Sequence, residues 1–366
     1  MLFRPGQMGC AALAALAMAG HPCAEERKDT TFQRFLLLPF GAYSEGTGAQ
    51  FGLVAMLFER PDSPDVPGDV LTASAVGTAE GQLTMFLGPK GSMADGDIRY
   101  AATLQYVDWP GSYWKGGNDP RDPAWKYSMQ SVRTSGNLLF AAELLRGRRS
   151  VLVRPLRAGI QFDAEGNRTS FDAPDSLPGL LRGGTRVGLG PMLQWDSRSN
   201  EGWPIQGSLV TVGRTWYSRN LGSDFTFERT LIDVRTYCPL PWPWTTLALA
   251  SYWESVEGDV PFDRLASPDG LSRLRGLAKG RLRDNQQWVL QSELRFPLFW
   301  RFSGTTFAEA GKVGKNMIEL RRNEFHTSLG GGLRFNVNPS RRLNFRVDIA
   351  HVDDGMGVAA SFGEAF

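Results

Sequence analysis

Residue types that carry chemistry are scarce in this chain, and their spacing limits what they can do. Only three histidines and three cysteines occur in 366 residues, and Cys10, Cys23 and Cys238 show no zinc-like spacing and cannot form a disulfide framework. His326-Thr-Ser328 has the spacing of a base beside a nucleophile, with Asn336 on the same face of an alternating stretch. A triad needs its members mutually in reach. Here His326 and Ser328 alternate with Leu329, Leu333 and Phe335, which places them opposite the apolar face. His351 with Asp353 and Asp354 reads as a cluster at a loop end rather than a metal site. No glycine-rich phosphate loop opens a helix, because Gly330-Gly-Gly332 lies within a strand pattern. No catalytic residue, metal or cofactor is expected.

The charged residues are more informative. Five basic residues lie from Arg273 to Arg283, in a long connection where Gly276 and Gly280 permit tight turns. In Gln287–Pro297 the apolar face is Trp288, Leu290, Leu294 and Phe296, so Glu293 and Arg295 point the other way. Glu309 shares a face with Phe307 in the next strand pattern, again opposite the apolar side. Two carboxylates on adjacent faces of that kind call for a cation. Arg275 suits them, since a guanidinium binds carboxylates bidentately. The plain alternative is one solvated arginine among several.

The elements that must position these groups are strands. Leu343, Phe345, Val347 and Ile349 alternate with Asn344, Arg346 and Asp348, the period of a half-buried antiparallel strand. Alternation alone does not separate a soluble sandwich from a barrel with its apolar face turned outward. Strand patterns run over 34–43, 50–59, 69–79, 81–89, 98–108, 131–145, 150–163, 184–196, 206–218, 226–238, 244–257, 284–297, 302–313, 323–336, 341–352 and 357–366. The number is even, and most segments suit a tilted crossing of about 9–11 residues. Tight turns fall at 146–149, 239–243, 298–301 and 337–340, and long loops at 109–130, 164–183 and 258–283. Trp109, Tyr113, Trp114 and Trp125 gather at one end, and Trp203, Trp242, Trp244 and Trp300 at the other, as interfacial girdles do. The 42 glycines and 41 aromatic residues, with 21% charged residues, suit an all-β membrane barrel. A net charge of +2 supplies no field for nucleic acid. No apolar run is long enough for a helical span.

Arg4 precedes an apolar stretch from Met8 to Ala19 that ends in small residues, and charged Glu25-Glu26-Arg27-Lys28 follows. Residues 1–24 are read as a secretory signal peptide. His21-Pro22 before Cys23 argues against lipidation, which favours small residues there.

An ordered set of segments resembles the bacterial surface antigen family, the outer-membrane assembly superfamily that includes BamA-type and TamA-type barrels. The set runs Trp195-Asp-Ser-Arg-Ser-Asn200, Gly222-Ser-Asp-Phe225, Gly258-Asp-Val-Pro-Phe262, Leu274-Arg-Gly-Leu277, Glu293-Leu-Arg-Phe-Pro297, Phe307-Ala-Glu-Ala-Gly311 and Ser361-Phe-Gly-Glu-Ala-Phe366. Leu38-Pro-Phe-Gly-Ala-Tyr-Ser44 and Tyr113-Trp-Lys-Gly-Gly-Asn118 fit the same subgroup. The resemblance implies a loop folded into the barrel and locked by Arg275 with Gly276, Glu293 and Glu309. Leu277 replaces the family's aromatic residue, and Glu309 replaces its Asp. The resemblance also makes Phe366, with Phe362 on its face, the end of a last strand read by the assembly machinery. Residues 25–33 leave no room for the family's periplasmic transport-associated domains, so they are read as a short periplasmic segment.

The expectation is therefore a sixteen-stranded antiparallel transmembrane β-barrel over residues 34–366, in the bacterial outer membrane, with an inward-folded loop. It is not an enzyme. It would assist insertion or passage of proteins or lipids through a laterally opening seam, where Gly357, Ala359, Ala360 and Gly363 pack weakly. Its partners would be outer-membrane lipids, with unfolded outer-membrane proteins or a periplasmic accessory. A passive or gated channel is the main alternative, and an outer-membrane phospholipase the lesser one.

Overall fold

The computed structural model describes residues 34–44, 48–60, 68–119, 123–141, 156–172, 181, 183–268, 272–353 and 355–366. The signal peptide and short segment expected over residues 1–33 lie outside the described residues, as do Cys10, Cys23 and Asp354.

Sixteen strands form one antiparallel sheet in sequential order. They are β1 (Phe35–Ser44), β2 (Gly48–Phe58), β3 (Val70–Thr78), β4 (Leu83–Met93), β5 (Ile98–Tyr113), β6 (Trp125–Ala141), β7 (Leu156–Asp172) and β8 (Gly184–Asp196). The second half holds β9 (Gly207–Tyr217), β10 (Phe227–Pro239), β11 (Thr246–Gly258), β12 (Gln286–Phe299), β13 (Phe302–Gly314), β14 (His326–Asn338), β15 (Leu343–Val352) and β16 (Gly355–Phe362). Burial decides what alternation leaves open. Phe51, Leu329, Leu333, Ile349 and Met356 are at least half exposed, while the side chains of Arg295, Arg334 and Glu293 are fully buried. The sheet is apolar outside and charged inside. That arrangement suits lipid, where an outward Arg or Lys costs about 2–4 kcal/mol at midplane.

Each strand is paired with its sequence neighbours. The exception is the seam: β1 and β16 lie side by side, yet no hydrogen-bonded register joins them among the described residues. At 8 residues β16 is also the shortest strand.

Three sequence expectations need correction. First, β5, β6 and β7 are longer than their patterns and run 16, 17 and 17 residues. Glu165 and Asn167 fall in the stretch read as a loop over 164–183, but with Asp163 their side chains are buried on the inward face of β7. The supposed turn at 146–149 lies outside the described residues. Second, a short helix, α1 (Met317–Arg322), sits between β13 and β14, capped by the Asn316 side chain accepting from Ile318 N and Glu319 N, both at 3.0 Å. Third, the chain leaves the sheet at Phe362. Gly363 takes φ +77°, and Ala365 and Phe366 turn inward and become buried. Phe362 instead packs on Phe345 with ring centroids 5.1 Å apart. The two phenylalanines therefore do not share a strand face.

The girdle assignment is likewise split. Trp242, Trp244 and Trp300 are well exposed in turns. Tyr113 and Trp125 stack on each other, and Tyr113 packs against Phe262 of the long loop. Trp203 lies by the Arg295 guanidinium. Inward positions of a barrel also collect aromatics when a loop fills the lumen.

Candidate functional site

The connection between β11 and β12 turns inward as a hairpin. Ala266 and Asp284 exchange backbone bonds at 2.8 and 3.0 Å, and Leu274 N donates to Pro268 O at 2.8 Å. At the tip, Gly276 has φ +91°, and an added Cβ would meet Ala350 and Val352 of β15 at 3.2–3.3 Å. A Cβ on Gly357 of β16 would sit 2.6 Å from Gly276 Cα. Small residues on β16 therefore have a packing reason that the sequence does not disclose. Gly357 lets the loop tip touch the last strand.

Arg275 follows from this placement. Its Nε donates to Glu309 Oε1 at 2.7 Å and its backbone N to Glu309 Oε2 at 2.7 Å. Its Nη1 donates to Glu293 Oε2 at 2.9 Å and Asp348 Oδ2 at 3.0 Å. All four side chains are fully buried. The guanidinium lies 3.4 Å from the Phe307 ring centroid, and the Arg275 carbonyl accepts from Ser328 Oγ at 2.6 Å. Gln291 Nε2 ties Glu309 Oε1 to the carbonyls of Ser272 and Arg273. Burial opposes charge on Arg275, but Glu309, Glu293 and Asp348 outweigh it and hold the guanidinium above its ordinary pKa. Asp348 is the partner missed in sequence as a ligand of the loop. Its inward position is readable from the alternation of β15, but its nearness to Arg275 is not.

The cluster extends to the chain's last residues. Arg334 donates to Asp348 Oδ1 at 2.5 Å, Glu293 Oε2 at 3.4 Å and Glu364 Oε2 at 2.9 Å. Arg346 Nη1 donates to Asp348 Oδ2 at 2.7 Å. Arg295 donates to Glu293 Oε1 at 2.8 Å through Nε and to Phe366 O at 2.9 Å through Nη2. Arg275, Arg295, Arg334 and Arg346 thus face Glu293, Glu309, Asp348 and Glu364, a balanced set in which each carboxylate is bonded. Such balance is what burial of charge requires.

A second anchor holds the same loop to the opposite part of the sheet. Arg264 binds Asp163 at 3.2 Å and also Glu165, while Arg186 Nη2 donates to Asp263 Oδ1 at 2.7 Å. Phe262 packs among Tyr113, Tyr127 and Phe171 with centroids 5.3–5.7 Å apart. The Gly258–Phe262 segment stood out in sequence, but the two charged residues after it did not. Their partners are more than seventy positions away. The loop crosses the lumen tied to β7–β8 at one point and β12–β15 at the other.

His326 and Ser328 do not form a base–nucleophile pair. His326 Nδ1 lies 3.0 Å from Asp353 Oδ2 and its Nε2 2.6 Å from Asn118 O, while Ser328 serves Arg275. His351 is exposed, and Asp353 belongs to His326 and Arg281.

An apolar outer face, a charged interior and a loop fastened across the lumen define an outer-membrane β-barrel. The Omp85 superfamily domain model matches residues 165–362, more than half of the chain, and the protein belongs to that superfamily. Among solved structures it is similar to BamA from Haemophilus ducreyi lacking POTRA domains 1–3, with a TM-score of 0.57 and 14% identity over 90% of this chain and 70% of that one. CdiB from Acinetobacter baumannii gives 0.58 at 12% identity over 90% and 60%, and CdiB from Escherichia coli 0.55 at 10% over 91% and 62%. The chain therefore spans under two thirds of the length of the CdiB structures. No curated protein sequence matches it.

Proposed function

We propose that this barrel assists the entry or passage of proteins or lipids at the outer membrane, and that Arg275 locks its lumen loop while the β1–β16 seam supplies the exit. The observation that carries this reading is the full burial of Arg275 against Glu293, Glu309 and Asp348. A lone arginine on a solvated loop would need no such set. Gly276 permits the turn that delivers it. The seam reading is supported by β1 and β16 lying side by side with no register between them among the described residues. A strand edge without a ladder is the place where another strand can pair. The assembly-signal role of Phe362 and Phe366 belongs to the unfolded chain, because Phe366 is buried once the barrel has formed.

The test uses purified barrel in liposomes, wild type beside Arg275→Ala, with an unfolded small reporter barrel added. Reporter folding faster than in vesicles carrying an inert porin, and slowed by the substitution, supports the reading. A rate equal to the porin control overturns it for the isolated barrel. A disulfide joining β1 to β16 that leaves activity unchanged removes the lateral exit.

A further inference from the structure

The outer wall formed by β10–β14 is hollowed. A barrel exterior usually presents large apolar side chains to lipid, yet this stretch carries Ser251, Ser292, Ala308, Ala310 and Thr327 at neighbouring outward positions. The registers Ser251↔Leu290, Leu290↔Ala310 and Ala310↔Thr327 place them in one band, with Leu249, Leu290 and Leu329 as walls. The hollow has a volume of about 750 Å³. It crosses five strands, so at ~4.8 Å per strand spacing it is roughly 19 Å wide. A single acyl chain does not fill such a width.

One outward position beyond Ala310 is Lys312, paired in register with Trp288. Its side chain is nearly fully buried on the outer face. Nζ lies 4.2 Å from the Phe325 ring centroid and 3.3 Å from Asn323 O, just past the end of α1. Leu320 of α1 is buried, and a Cβ on Gly314 would meet Leu320 N at 2.6 Å, so the helix is pressed onto the end of β13. Its exposed residues are Met317, Ile318 and Glu319, then Arg321 and Arg322 one turn on, with Lys315 just before, so three cations stand against the one carboxylate of the helix. Apolar residues beside cations on one short helix suit the boundary between acyl chains and headgroups. This is the end of the barrel with the long connections, the outer side in such barrels.

We propose that the β10–β14 hollow and the α1 rim form a site for an outer-leaflet lipid with phosphate groups and several acyl chains. The chains lie over Ser292, Ala308 and Ala310, and the phosphates meet Arg321, Arg322 and Lys315. Small residues leave the space, and the cations choose the headgroup. The hollow lies on the outer side of the same β12–β13 wall whose inner side carries Glu293 and Glu309, so the sheet itself separates the lipid from the Arg275 cluster.

The test is native mass spectrometry of the purified full chain in detergent, titrated with lipid A, dephosphorylated lipid A or phosphatidylcholine. Wild type should retain lipid A over the dephosphorylated form by about tenfold, in line with the worth of surface cations toward anionic lipid. The double variant Arg321→Ser/Arg322→Ser should abolish that preference while still binding the dephosphorylated lipid. Ala308→Leu/Ala310→Leu should weaken both. Heat-modifiable gel migration establishes that each variant is folded. Equal retention of all three lipids by wild type, or unchanged preference in the rim variant, overturns the site.

Discussion

Arg275 and Glu309 are joined twice, through the side-chain Nε and through the backbone N, each at 2.7 Å to a different carboxylate oxygen. One carboxylate thus orients the guanidinium and pins the loop backbone. Removing it leaves a buried cation short of a partner, a loss that typically costs about 3–5 kcal/mol. Glu309→Ala should therefore lower the thermal midpoint and raise ion conductance in planar bilayers. Glu309→Asp, one methylene shorter, should fall between Ala and wild type. Wild-type conductance in both variants would mean the loop is held without this pair.

Ser328 makes a weaker claim on the same residue, a single hydroxyl bond to the Arg275 carbonyl. Ser328→Ala should cost about 1 kcal/mol, the ordinary net worth of one hydrogen bond. Chemical denaturation of the refolded barrel measures it. A loss as large as that of Glu309→Ala would move the principal anchor from the guanidinium to the backbone.

Gly357 should respond to size in a way its neighbour does not. A side chain there meets the loop tip at Gly276, whereas at Gly355 the nearest atom to an added Cβ is 3.7 Å away. Gly357→Leu should expose the loop and speed tryptic cleavage after Lys279 and Arg281. Gly355→Ala is the control and should cleave at the wild-type rate. Identical cleavage in both would contradict the contact between loop tip and β16.

The second anchor predicts coupling across the lumen. Arg264 and Arg275 share no partner, but both fasten one loop. If the loop leaves the lumen only when both points are free, Arg264→Ala and Arg275→Ala should each raise conductance modestly and the double variant far more than their product. A double variant equal to that product would show that the anchors act independently.

Hydrogen exchange should distinguish the seam from the wall. Among the described residues no register joins β1 to β16, whereas β12 and β13 pair from Gln286↔Gly314 to Phe299↔Phe302. Exchange in β1 and β16 should be faster than in β12 and β13. Equal protection would argue for a sealed barrel.

The alternation of Leu343, Phe345, Val347 and Ile349 determines a strand with two unlike faces, and the even run of such segments suits a barrel, while which face turns outward is decided by burial. These are local properties, carried by a period of two and by turn residues. The inward direction of Glu293 and Glu309 was legible for the same reason. Charge balance and the family resemblance point both carboxylates to Arg275, while for Asp348 the alternation of β15 gives only an inward position.

What tertiary structure alone decided is where distant pieces meet. Glu165 and Asn167 look like a loop until burial shows them facing Arg264 and Asp263. The terminal residues look like more strand until Gly363 turns them onto Arg295 and Arg334. Polar inward residues of a barrel and polar loop residues have the same composition. Only closure of the sheet, which brings β7 and β12–β15 to bear on one loop, tells a solvated charge from a buried and partnered one.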